Sequence, residues 1–111
     1  YTELLKDIVK TPVIPAGFGS SWAQYTLQLP DEAKRNALQA ALKEAGIPSM
    51  VYYPKPMHLQ TAFKSIVQPT GCNCEVAERL CKTVLSLPMH PYITSADIEF
   101  ICSTLIASLS R

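Results

Sequence analysis

Trp22-Ala23-Gln24-Tyr25-Thr26-Leu27-Gln28-Leu29 alternates large apolar with small or polar residues. That period of two predicts a half-buried strand, ended by Pro30. The period then becomes helical. Ala37, Leu38, Ala41, Leu42 and Ala45 share one face, with Asp31 placed to cap the start and Gly46 to stop the end. Lys34, Arg35, Lys43 and Glu44 lie mostly outside that stripe. After Pro48, Ser49 to Tyr53 reads as a second short strand, so strand, helix and strand form a crossover unit of an α/β layer. Upstream, residues 1–10 read as the end of a helix stopped by Thr11-Pro12, and residues 11–21 as a proline- and glycine-rich connector.

The second half predicts a short helical turn at Thr61 to Ile66 and a mobile, exposed loop at Gln68 to Asn73. A helix from about Cys74 to Thr83 follows, with Val76, Ala77, Leu80, Cys81 and Val84 at helical spacing. Val84 to Leu87 reads as a strand before Pro88. The last helix is the clearest: Thr94-Ser95-Ala96-Asp97 fits a capping box in its aspartate variant. Behind it, Ile98, Ile101, Cys102, Leu105, Ile106 and Leu109 trace one stripe. The expected fold is α/β: a small, mostly antiparallel sheet of about three strands with helices packed on one face.

At 111 residues the chain suits one domain, residues 1–111, and 48% apolar residues give it a real core. Ten basic and nine acidic side chains nearly cancel and are scattered, which leaves no electrostatic footprint for nucleic acid. No apolar run approaches the roughly 20 residues of a membrane span, and no signal peptide opens the chain, so a cytoplasmic location is expected. The start at Tyr1, directly in a helical pattern, reads as a cut inside a longer protein. Cys81 and Cys102 fall on apolar helix faces and read as reduced core thiols. Cys72-Asn73-Cys74 lacks a second pair for a metal site, and a redox pair there is the weaker alternative. No metal site is expected.

The densest chemistry lies in Val51-Tyr52-Tyr53-Pro54-Lys55-Pro56-Met57-His58-Leu59-Gln60. Its prolines hold the backbone extended and display side chains at defined positions. Leu85-Ser86-Leu87-Pro88-Met89-His90-Pro91-Tyr92 repeats that chemistry. The first segment, with Leu42 to Pro48 before it, resembles the C-terminal motif of DegT/DnrJ/StrS aminotransferases. Ser21-Trp22-Ala23-Gln24-Tyr25-Thr26 is similar to the strand that opens that family's small domain. Val76-Ala77-Glu78-Arg79-Leu80 and Val84 to Tyr92 are similar to its closing signature. The chain departs from the family pattern at Pro69 to Glu75.

This resemblance implies a C-terminal small domain of a fold-type-I enzyme that uses pyridoxal phosphate to aminate nucleotide-linked keto-sugars. Amino-sugar, polysaccharide or antibiotic biosynthesis is the implied setting. It implies a large cofactor-binding domain of the same protein as partner, an amino-acid donor, and a homodimer. The Schiff-base lysine, the aspartate at the pyridine nitrogen and the phosphate-binding groups belong to that large domain. The fragment alone is therefore expected to hold no cofactor, contain no catalytic residue and be inactive.

Lys55 sits between two prolines without a phosphate cradle and reads as a solvated loop lysine. Tyr52 and Tyr53 alternate across the expected strand, one into the core and one toward the cleft, where the resemblance places substrate. Many members of the family this chain resembles carry histidine in place of Tyr52; the aromatic shape is kept here, and the acid/base role of that position is not carried over. His58 is the best polar candidate, able to donate to a diphosphate or sugar oxygen, with a structural hydrogen bond as the equal alternative. His90 is expected to brace the Pro88–Tyr92 turn, Tyr92 to cover the last helix, and Trp22 and Tyr25 to be mainly core, with a contact to the large domain as the sharper alternative. Two other functions stay open: a free-standing non-catalytic module, and a family member that performs sugar dehydration.

Overall fold

The computed structural model describes residues 1–63 and 73–110. Helix α1 spans Thr2–Leu5, strand β1 Tyr25–Gln28 and helix α2 Glu32–Glu44. Two short 3₁₀ turns, Met57–Leu59 and Thr61–Phe63, precede helix α3 at Glu75–Thr83, strand β2 at Val84–Leu87 and helix α4 at Ser95–Leu109. The last three residues of the expected turn at Thr61 to Ile66, most of the expected loop at Gln68 to Asn73, and Cys72 lie outside the described residues.

β1 and β2 pair antiparallel, with Tyr25 opposite Leu87 and Leu27 opposite Leu85. Because side chains alternate across a strand, these four share one face. Tyr25, Leu27, Leu85 and Leu87 are all buried in the core cluster. On the other face Thr26 lies opposite Ser86, and the two hydroxyls hydrogen-bond at 2.8 Å. That bond satisfies polar groups on a strand that is buried along its whole length.

The expected strand at Ser49 to Tyr53 contracts to a single bridge, Met50 to Ser86. The Met50 and Ser86 amides exchange both hydrogen bonds, at 3.1 and 2.7 Å. Pro48 and Pro54 have no N–H to extend the ladder, which limits pairing on either side. Met50 is antiparallel to β2, as β1 is, so this lane runs parallel to β1 with β2 between them. A similar single bridge sets Lys10 against Gln28 on the outer edge of β1. The sheet is thus two strands with one-residue lanes on both sides.

α2 starts at Asp31, whose side chain accepts from the Lys34 amide at 2.8 Å. It ends in a Schellman motif: Gly46 N–H bonds to Lys43 O and Ile47 N–H to Leu42 O. Gly46 takes φ +73°, open to glycine without a Cβ penalty. The buried face of α2 is Arg35, Leu38 and Leu42, whereas Ala37 and Ala45 are exposed. This corrects the expected placing of Arg35 outside the stripe. Its Nη1 donates to Cys81 O at 3.3 Å and Val84 O at 3.4 Å, while Nε donates to Asn36 Oδ1.

α4 carries the expected capping box. Asp97 N–H donates to Thr94 Oγ1 at 3.1 Å and Thr94 N–H to Asp97 Oδ2 at 2.9 Å. These bonds, with the Thr94 hydroxyl first among them, hold the Asp97 carboxyl below its ordinary pKa. Its face Ile101, Cys102 and Leu105 packs with Leu5, Leu38 and Leu42 in one core. Each fully buried leucine of that core contributes about 2 kcal/mol.

Candidate functional site

Two segments frame the site, residues 48–60 and 86–92. The second is firmly held. β2 fixes its start, and the Tyr1 hydroxyl donates to Pro88 O at 2.9 Å. Burial of Tyr1 among core neighbours pushes its phenol up to about 12. Beyond Pro88, the Tyr92 amide donates to His90 Nδ1 and the Ile93 amide to His90 O, both at 3.3 Å. His90 thus braces the turn as expected. Tyr92 does not cover α4: it is 87% exposed, because that turn points it outward from the core.

Trp22 enters β1 at φ +51°, a left-handed conformation that costs a non-glycine residue about 1–2 kcal/mol. Its amide donates to Ser20 Oγ and its ring lies 5.3 Å from Tyr25. Tyr25 is core as expected, and Trp22 is partly buried against it. This bend delivers Ala23 and Gln24 to a cleft of about 200 Å³. Its other walls are Pro48, Ser49, Met50 and Tyr52 from one segment and Ser86 to Met89 from the other.

Tyr52 is therefore the expected site residue that lines the cleft. Neither tyrosine fills the core, since the expected strand is absent there: Tyr52 is 38% and Tyr53 68% exposed. Their rings meet edge to face at 5.7 Å, across a cis peptide bond. Tyr53 does not line the cleft, and neither does His58. His58 Nε2 donates instead to Glu78 Oε1 of α3 at 2.9 Å, which ties the Met57–Leu59 turn to that helix.

Among the described residues, no charged one lines this cleft. Gln24, Ser49 and Tyr52 offer neutral donors and acceptors beside apolar walls, a set that can orient hydroxyl or amide groups, while Ser86 is already bonded to Thr26 and Met50. The groups with displaced pKa values (Tyr1, Tyr25, Asp97, Cys102) line none of it. The cleft can bind and orient. Every described lysine is exposed, Lys55 included, so none has the desolvated setting that a Schiff base requires. No cluster of potential metal ligands occurs among the described residues. No described helix is long and apolar enough to cross a membrane.

Gln24, Ser49 and Ser86 were not evident from pattern alone. Ser86 carried one signal, a polar residue at the centre of an otherwise apolar strand.

The chain is 38% identical over 106 residues to the UDP-2-acetamido-2-deoxy-3-oxo-D-glucuronate aminotransferase of Pseudomonas aeruginosa, covering 95% of this chain and 28% of that protein. It is 43% identical over 105 residues to a pleiotropic regulatory protein of Geobacillus stearothermophilus, with 91% and 27% covered. To the UDP-N-acetyl-3-dehydro-alpha-D-glucosamine 3-aminotransferase of Acidithiobacillus ferrooxidans it is 38% identical over 110 residues, with 98% and 28% covered. A solved DegT DnrJ EryC1 StrS aminotransferase from Brucella abortus superposes with a TM-score of 0.85 at 45% identity, over 99% of this chain and 28% of that one. The chain thus spans under a third of the length of these relatives. The DegT/DnrJ/EryC1/StrS aminotransferase family matches residues 1–106, nearly the whole sequence, and the chain belongs to that family.

Proposed function

We propose that residues 1–111 form the C-terminal small domain of a pyridoxal-phosphate-dependent aminotransferase acting on a nucleotide-linked keto-sugar. The observation that carries this reading is the family match over nearly all of this chain against only 28% of each aminotransferase relative. Both of those relatives are named for UDP-linked N-acetylated 3-keto-sugars, so that substrate class is the one we assign. Amino-acid donor, lysine and cofactor cradle belong to a large domain of the same protein, in a homodimer. The cofactor supplies the electron sink for amine transfer; this domain closes the cleft and positions sugar.

The neutral cleft suits that division of labour. Gln24, Ser49 and Tyr52 present hydrogen-bonding groups to sugar hydroxyl or N-acetyl oxygens without adding charge near the reacting carbon. Tyr53 and His58 follow Tyr52 on the same loop without lining the cleft, and we assign them as outer contacts. The exposed Met57 and Leu59, in the loop braced by His58, are the surface on which we place the large domain.

The test compares the native protein that carries this chain with the isolated 111 residues. The native protein should show a lysine-linked cofactor absorbance and aminate a UDP-linked 3-keto-sugar, and the isolated chain should do neither. Turnover by the isolated chain would overturn this reading, as would a native protein no larger than these 111 residues.

A further inference from the structure

A second cleft, of about 490 Å³, opens where the turn after α1, the end of β1, the start of α2 and the end of α3 meet. It shares no residue with the Tyr52 cleft. Lys10, Lys34 and Arg79 line it, all exposed, and no carboxylate among the described residues does. The ion pairs among the described residues are Lys6–Glu3, Arg35–Glu32 and His58–Glu78, so none of these three cations is neutralised by one. Asp7 and Asp31 are near in sequence, but the Asp31 side chain is engaged at the Lys34 amide. The floor is apolar: Val9 and Leu29 are buried there and Leu109 closes one side.

The backbones that carry the three cations are fixed. Gln28 N–H donates to Lys10 O at 3.0 Å, and Leu29 N–H to Thr83 O at 2.8 Å. Thr83 Oγ1 donates in turn to Arg79 O at 3.0 Å. Three exposed like charges at one opening repel weakly through solvent, and an anion among them relieves that repulsion. An ammonium pair with a guanidinium fork matches phosphate oxygens.

We propose that this cleft binds a phosphate-bearing small molecule, the phosphate among Lys10, Lys34 and Arg79 and the organic body against Val9, Leu29 and Leu109. The volume lies within the roughly 300–1,000 Å³ of small-molecule sites. A peptide is disfavoured because the outer edge of β1 is already taken at Gln28 by Lys10. The site is independent of the aminotransferase reading.

Phenyl phosphate and inorganic phosphate, titrated calorimetrically into the native protein loaded with pyridoxal phosphate and then freed of excess cofactor, test this. Phenyl phosphate should bind more tightly than inorganic phosphate. Its Kd should rise about tenfold in Lys34→Ala and in Arg79→Ala, rise by a smaller factor in Arg79→Lys, which keeps the charge but loses the fork, and not change in Lys43→Ala. Because the altered side chains are exposed, folding is not the variable. An isotherm unchanged by all four substitutions would place the anion elsewhere and overturn the proposal. Absence of binding would do the same, as would tighter binding of a glutamate-rich peptide than of phenyl phosphate.

Discussion

Replacing Arg35 with methionine should destabilise the chain by about 2 kcal/mol, although the substitution introduces a helix-compatible residue of similar length. Arg35 is 6% exposed, and its guanidinium joins the buried face of α2 to the junction of α3 and β2. The contacts to Cys81 O and Val84 O are long, 3.3 and 3.4 Å, so each sits at the low end for a charged donor, about 1 kcal/mol. Methionine preserves the packing of the aliphatic stem and removes the desolvation cost of the charge, but leaves both carbonyls without that donor. The Glu32 contact at 3.8 Å is half exposed and adds little. At a urea slope of about 1.5 kcal/mol per molar, the midpoint should fall by roughly 1.3 M. Lys43→Met on the exposed face of the same helix should shift it by less than about 0.5 kcal/mol equivalent. An Arg35→Met midpoint equal to that of Lys43→Met would refute the claim that the guanidinium joins these elements.

Thr94→Ala should cost about 1 kcal/mol in urea unfolding by removing the α4 cap. Since Asp97 is held below its ordinary pKa chiefly by Thr94, its contribution is present above the unfolded carboxylate value and is lost as pH falls through the lower folded value. Acid unfolding of Thr94→Ala should therefore show a weaker pH dependence than wild type. For Tyr1 the sign is opposite: with the phenol raised from 10.0 to about 12, its share of stability is intact below pH 10.0 and declines as pH rises toward 12. Tyrosinate absorbance should show Tyr1→Phe deleting a late-titrating phenol; loss of an early one would contradict its burial. Glu78→Gln should speed amide exchange at Met57–Leu59 while moving global stability by less than about 1 kcal/mol, because the His58 pair is partly exposed. Unchanged exchange would show that the pair does not hold the turn.

The elements that could be read from sequence are those set by local rules. Asp31 and Thr94 act through hydrogen bonds within three residues, so their caps needed no tertiary knowledge. The α4 stripe is long enough for its period to define a face. Arg35 was misplaced because a polarity pattern weighs charge and ignores reach, although Arg35, Leu38 and Leu42 are spaced i, i+3, i+7. Ser49 to Tyr53 reads as the strand that completes a strand, helix and strand unit, yet prolines on both sides limit pairing to Met50. The cleft itself joins residues far apart in sequence, and Gln24 and Ser86 meet there only through the β1–β2 register. His58 illustrates the same limit: pattern left it between ligand contact and structural bond, and the partner that decides its geometry is twenty residues away.

The central claim is that this domain supplies the substrate side of the site and leaves the cofactor chemistry to the rest of the protein. Steady-state kinetics of Tyr52→Ala in the native protein, with a UDP-linked N-acetylated 3-keto-sugar, test it most directly. The account predicts a KM raised about tenfold, a kcat within about twofold of wild type and an unchanged cofactor absorbance. A collapsed kcat with unchanged KM, or kinetics identical to wild type, would contradict it.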